Sequence, residues 1–213
     1  MGRKRVSLGN DTVRGIDVSH YQPRIDWVKV KASGVEFAII KASEGTTNKD
    51  KLHKSHTTNA RAAGVLVGSY HFLHYRSDPI VQAKNFLAAI GEHKKGDLPP
   101  VADIEWADGI TKMNFQTADL ALAFLEEVEK KAGITPIIYT AASFFDGAPK
   151  PERFKRFPLW VANYRVKAPM VPSPWDSFAI WQYTDKAAVP GAGAVDGNLF
   201  NGTLAQLHAL TKQ

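Results

Sequence analysis

The chain has 213 residues, 44% of them hydrophobic and 23% charged, which suits one soluble domain with a sizeable core and excludes a disordered chain. It contains no cysteine, so disulfides, thiolate metal sites and a cysteine nucleophile are excluded together. The net charge of +6 favours anionic surfaces such as lipid head groups, nucleic acid or an acidic wall polymer, without choosing among them.

Met1-Gly2-Arg3-Lys4-Arg5 is basic like the start of a signal peptide, but Val6 to Arg14 supplies no apolar continuation. Residues 1–12 read as a basic tail and 13–213 as one domain. No apolar run is long enough to cross a bilayer, so stable membrane insertion is not expected. From Val13 onward, short β-branched or apolar runs alternate with helix-like segments, the rhythm of βα units. Eight strands are expected, near Arg14–Val18, Phe37–Ala42, Leu66–His71, Pro100–Glu105, Pro136–Thr140, Leu159–Asn163, Ala179–Tyr183 and Val195–Phe200. One helix follows Asp78-Pro79, with Ala83, Phe86, Leu87 and Ile90 on one face before Gly91. Another follows Asn114, with Ala118, Ala121, Leu122, Leu125 and Val128 at helical spacing before Gly133. A complete barrel of eight strands and eight helices typically needs ~250 residues. The expected fold is therefore an α/β chain forming an irregular TIM-like (β/α) barrel with eight strands and fewer than eight full helices. Ala148 to Pro174 reads as loops around one strand.

In a parallel barrel the C-terminal ends of the strands converge on one mouth. The fourth strand ends in Asp103-Ile104-Glu105. Alternation along a strand points both carboxylates the same way, roughly 6 to 7 Å apart. Two like charges so close compete to ionise, and one then keeps its proton, as a general acid requires. A solvated or salt-bridged strand end would show the same two residues, so the pair gains meaning only from its company. Asp17 stands at the end of the first strand and Asp196 at the end of the last, giving four candidate catalytic carboxylates facing one cleft. Tyr70, His71, Tyr139, Trp160, Tyr164 and Gln182 stand at other strand ends. Sugars present apolar C–H faces and many hydroxyls, so carboxylates ringed by aromatics and amides suit glycan binding and cleavage. Each aromatic taken alone fits core packing equally well.

Several motifs, in order, resemble glycoside hydrolase family 25, the Chalaropsis-type lysozymes or N-acetylmuramidases. They are Asp17-Val18-Ser19 with Gln22, Lys41-Ala42-Ser43-Glu44-Gly45, Gly68-Ser69-Tyr70-His71-Phe72, Asp103-Ile104-Glu105 and Pro136-Ile137-Ile138-Tyr139. Leu159-Trp160-Val161-Ala162-Asn163-Tyr164, Trp181-Gln182-Tyr183 and Val195-Asp196-Gly197-Asn198 complete the series. Pro23 departs from the glycine found there in many relatives. The resemblance implies cleavage of the β-1,4 bond between N-acetylmuramic acid and N-acetylglucosamine in bacterial peptidoglycan, without metal or organic cofactor. It implies Glu105 as proton donor and Asp103 as the group orienting the substrate's 2-acetamido group for attack, with Asp17 and Asp196 tuning the pair and holding the sugar. A carboxylate nucleophile is the rival mechanism, and a chitinase-like glycosidase or a non-catalytic glycan-binding barrel the rival functions. A bare catalytic domain of this kind suggests a monomeric phage or prophage endolysin, held in the host cytoplasm before release to the cell wall or periplasm, or else a secreted enzyme.

Three weaker signals are set aside. The i,i+3 pairs His53/His56 and His71/His74 lack an acidic partner pattern for zinc, and the first pair reads as exposed. Gly191-Ala192-Gly193 fails the dinucleotide-binding spacing and reads as a flexible loop beside the site. Lysine and arginine are spread along the chain, so a nucleic-acid partner is not expected.

Overall fold

The computed structural model describes residues 3–211; Met1 and Gly2 of the expected basic tail, with Lys212 and Gln213 at the other end, lie outside the described residues. Eight strands close into a barrel in chain order: β1 (Val13–Val18), β2 (Phe37–Glu44), β3 (Leu66–Phe72), β4 (Val101–Asp103), β5 (Ile137–Ala141), β6 (Leu159–Ala162), β7 (Ile180–Val189) and β8 (Gly193–Phe200). Each neighbour pair from β1 to β7 is parallel, while β8 runs antiparallel to both β7 and β1. All eight expected strands are present, but the barrel is mixed. The reason is local: β7 continues to Val189, leaving only Pro190–Ala192 before β8, and so short a connection makes a hairpin and not a crossover.

Among the described residues six α-helices accompany the strands: α1 (Trp27–Ala32), α2 (His53–Ala62), α3 (Pro79–Ile90), α4 (Phe115–Ala132), α5 (Ala142–Phe145) and α6 (Leu204–Ala209). The two read from sequence are capped as their residues dictate. Asp78 accepts from the backbone of Ile80 and Val81 with Pro79 in the first turn, and Asn114 forms a capping box with Thr117 while Gly133 closes α4 in the left-handed region. No helix among the described residues is long and apolar enough to cross a membrane.

Alternation divides each strand between two faces. Inward residues Val13, Phe37, Ile39, Val101, Ile137, Trp160, Ile180 and Phe200 fill the barrel, and Leu207 of α6 closes its floor. Gly15 makes this filling possible, since a Cβ there would come within 2.2 Å of the Phe37 ring. Outward residues pack under the helices: Ile16, Val18, Ala38 and Ile40 meet Trp27 and Val30 of α1, and Ala102, Ile104 and Ile138 meet Leu122, Phe124 and Leu125 of α4. Each such large side chain contributes about 1.5–3 kcal/mol on burial. A short pairing of Lys4–Arg5 with Met170–Val171 ties the N-terminal segment to the barrel, where Val6 and Leu8 pack against the core.

Two local expectations change. His53 and His56 are buried, not exposed. The Gly191–Gly193 turn is seated on the start of α1, where Gly191 O accepts from Asp26 N at 2.8 Å, so it is anchored there.

Candidate active site

Above the packed interior, the mouth of the barrel forms a cleft lined by Asp17, Tyr70, Asp103, Glu105, Tyr139, Trp160, Gln182 and Asp196. Asp103 ends β4, and alternation persists past it: Ile104 turns outward into the core while Glu105 returns to the cleft. The turn that carries Glu105 is held in place by Tyr75, whose hydroxyl donates to the Glu105 carbonyl at 2.9 Å. Asp108, at positive φ, accepts from Tyr75 N at 2.6 Å and sits 2.9 Å from His74 Nδ1, which fixes the loop beyond.

The four carboxyls form two pairs. Asp103 and Glu105 stand close enough for each to act on the other's ionisation, and Asp17 lies directly opposite Asp196 on the β1–β8 ladder. Like charges held near one another disfavour double ionisation, so each pair favours keeping a proton. Burial, then the charge of Glu105, pushes Asp103 well above the ordinary carboxylate range, and burial also raises Glu105. Burial, then Asp196, does the same to Asp17, and burial raises Asp196. The partners differ in access. Asp103 is 6% exposed, and its buried Oδ1 meets no N–H or hydroxyl donor among the described residues, whereas Glu105 is only half-buried.

Asp17 is set by a polar network beneath the cleft. Its Oδ2 accepts from Gln182 Nε2 at 2.8 Å and Asn198 Nδ2 at 2.7 Å. Gln182 Oε1 in turn accepts from the hydroxyls of Tyr139 at 2.8 Å and Tyr164 at 2.5 Å, and Asn198 Oδ1 accepts Trp160 Nε1 at 2.8 Å. Burial holds the Tyr70, Tyr139 and Tyr164 phenols above their ordinary value, with neighbouring carboxylates adding to it, so they stay protonated donors.

The structure thus brings together nine of the ten residues singled out from sequence. His71 is the exception. Being one residue after Tyr70, it faces outward, fully buried between β3 and the helices, stacked on Phe124 at 4.9 Å and 2.9 Å from Ser43 Oγ. Asp196 reaches the mouth from the first half of a reversed strand, not from a strand end. Tyr139, Trp160 and Gln182 direct their polar atoms to the network behind Asp17. Sequence reasoning also passed over Asn198, Tyr75 and Lys41. Lys41 is inward by the period of β2, and its charge lowers both Asp103 and Glu105. Alternation from Ile39 and from Asp196 identifies Lys41 and Asn198, whereas Tyr75 lies in a loop and leaves no periodic signal.

Carboxyls held above the ordinary carboxylate range, set at a barrel mouth among aromatic walls, are the equipment of glycoside hydrolases. The sequence agrees: the profile of Glycosyl hydrolases family 25 matches residues 16–192. Lysozyme M1 of Streptomyces globisporus is 35% identical over 212 residues, covering 93% of this chain and 71% of its own length. The crystal structure of a bacterial lysozyme from Streptomyces coelicolor superposes with a TM-score of 0.88 at 36% identity, over 95% of this chain and 98% of that one. A family GH25 lysozyme from Aspergillus fumigatus gives a TM-score of 0.84 at 32% identity, over 95% and 100% of the two chains. The chain belongs to glycoside hydrolase family 25.

Proposed function

We propose that this glycoside hydrolase is a lysozyme that cleaves the β-1,4 bond between N-acetylmuramic acid and N-acetylglucosamine in bacterial peptidoglycan, with Glu105 as proton donor. The observation that carries the assignment of roles is the asymmetry of the Asp103–Glu105 pair: both line the cleft and both are pushed above the ordinary range, but Asp103 is buried while Glu105 is only half-buried and open to an incoming substrate. Glu105 gives its proton to the glycosidic oxygen as the C1–O bond breaks. The carbonyl oxygen of the substrate's own 2-acetamido group forms the new bond to C1; with the pair's proton on Glu105, Asp103 is the carboxylate that holds the acetamido N–H, and the positive charge growing on that nitrogen favours its ionised form in the complex. Water then attacks C1, Glu105 takes its proton, and the acetamido group is restored with retained configuration. Asp17 and Asp196, both pushed above the ordinary carboxylate range by burial, present a polar wall to the same sugar. The positively charged protein acts at the anionic wall, and we place its role in cell-wall degradation, including host-cell lysis if a phage encodes it.

The test is Glu105→Gln. The variant should unfold at an unchanged temperature and lose release of reducing ends from peptidoglycan by about 10²- to 10⁴-fold. Unchanged clearing of cell walls overturns the assignment. Product analysis should show muramic acid at the new reducing end, and faster turnover of chitin oligomers than of peptidoglycan would replace this reading with the chitinase-like one.

A further inference from the structure

A second groove opens on the same end of the barrel, lined by His20, Lys41, Glu44, Lys49, Asp50 and Lys51. It is built by residues that follow β1 and β2, including the two-residue strand Asn48–Lys49 that pairs back onto Ser43 and Glu44. Lys41 lines this groove and is near enough to the catalytic cleft for its charge to be felt there. Its Nζ lies 2.5 Å from Glu44 Oε2 and 5.4 Å from the centre of the Phe72 ring, and its charge acts on Asp103 and Glu105.

The acids of the groove are occupied internally. Asp50 accepts from His20 N at 2.9 Å and Leu52 N at 2.9 Å, and its Oδ2 lies 2.7 Å from His20 Nδ1. Burial disfavours its charge, yet these donors outweigh it and hold the carboxyl below the ordinary range. Glu44 is engaged by Lys41 and by Asn48 Nδ2 at 2.9 Å. Lys49 and Lys51, by contrast, are exposed and make no ion pair among the described residues. The groove therefore offers two uncommitted ammonium groups beside a site read as one for muramic acid, the sugar of peptidoglycan that bears a peptide on its lactyl ether.

We infer that this groove binds the acidic stem peptide of peptidoglycan, with Lys49 and Lys51 receiving its carboxylates while the glycan lies in the adjoining cleft. The inference rests on the muramidase reading above. It makes the enzyme selective for peptide-bearing strands, because carboxylates held by the lysines add binding that a bare glycan cannot supply.

The experiment compares kcat/KM on soluble peptidoglycan fragments of one glycan length, with stem peptides intact or removed by an amidase. The proteins are wild type, the double variant K49A/K51A and the control K130A/K131A, whose exposed lysines end α4. Wild type should prefer the peptide-bearing fragments. In K49A/K51A that preference should fall about three- to tenfold, through KM, as expected for the loss of two exposed charge contacts. The control should keep it. An unchanged preference in K49A/K51A, or an equal fall in the control, overturns the inference. If wild type releases no reducing ends from either fragment, the muramidase reading itself fails. A melting curve for each variant identifies any loss due to folding, and K49E/K51E, which should lower the preference further, then provides the independent check.

Discussion

Asn198 holds Asp17 in place: the amide donates Nδ2 to Asp17 Oδ2 at 2.7 Å while its Oδ1 accepts the indole N–H of Trp160 at 2.8 Å. Asn198 is 1% exposed, so no solvent replaces either bond once the amide is gone. Asn198→Ala should destabilise the protein by about 1–3 kcal/mol for each buried partner left unsatisfied. With Asp17 held by Gln182 alone, and Asp196 opposite it, kcat should fall by up to about 100-fold. Denaturant unfolding and turnover measured at one temperature check both effects; full activity in Asn198→Ala would mean that Asp17 needs no anchor.

Asn198 also shows where sequence is informative. The eight strands were legible because each is a compact apolar run, and α3 and α4 because their caps and periodicity agree. The carboxylates were legible because period two puts Asp103 and Glu105 on one face. The same period shows that Tyr70 and His71 cannot both face the cleft, and it places His71 outside. The reversal of β8 was not legible: Tyr183 to Val189 is too polar to read as strand, and only its continuation shortens the connection enough to force a hairpin. Nor does sequence show which polar side chains spend their hydrogen bonds on one another, so Gln182 and Trp160 read as sugar contacts although they support Asp17.

His71 and His53 predict the acid limb of stability. Burial lowers each from the ordinary 6.5 to about 4, so both are neutral in the fold. The unfolded chain takes up protons below its pKa of 6.5 while the native state resists until about 4, and stability is therefore present above 6.5 and lost as pH falls through 4. From 6.5 down to about 4 the loss reaches up to about 3 kcal/mol per histidine. Urea titrations of wild type and His71→Gln at pH 7 and pH 4 check this. The variant should be weaker at pH 7 but lose less on acidification, and its kcat where folded should stay near wild type, since His71 does not touch the cleft.

Asp103 predicts the opposite limb. Its folded pKa is raised, so the native state favours the protonated form; the stability it allows is complete below the ordinary carboxylate value and declines as pH rises through the folded one. Asp103→Asn removes that burden and donates an amide N–H to Glu105. The variant should be more stable than wild type at pH 7, by about 0.5–2 kcal/mol, with the gain vanishing near pH 3. Its turnover should fall about a hundredfold or more, because a neutral amide cannot stabilise the positive acetamido nitrogen. Calorimetric melting at the two pH values, alongside reducing-end release, decides it; equal stability at both would show that Asp103 ionises freely.

Gly15 links the packing of the barrel to the chemistry above it. It sits on β1 two residues before Asp17, pairs with Phe37 on one side and Asn198 on the other, and leaves no room for a Cβ, which would lie 2.2 Å from Phe37 Cζ and 2.4 Å from Cε1. Gly15→Ala should destabilise the fold by about 1–3 kcal/mol through overpacking. Because the strand must move away from Phe37, Asp17 moves with it, so activity should fall even at temperatures where the variant is fully folded. Phe37→Leu alone leaves a partly empty interior and costs stability by the opposite route. The double variant G15A/F37L should therefore be less damaged than the sum of its parts, since the added methyl occupies space that the smaller side chain vacates. A double-mutant cycle in urea, with kcat measured for all four proteins, checks this; additive losses would place the clash at Gly15 elsewhere than on the Phe37 ring.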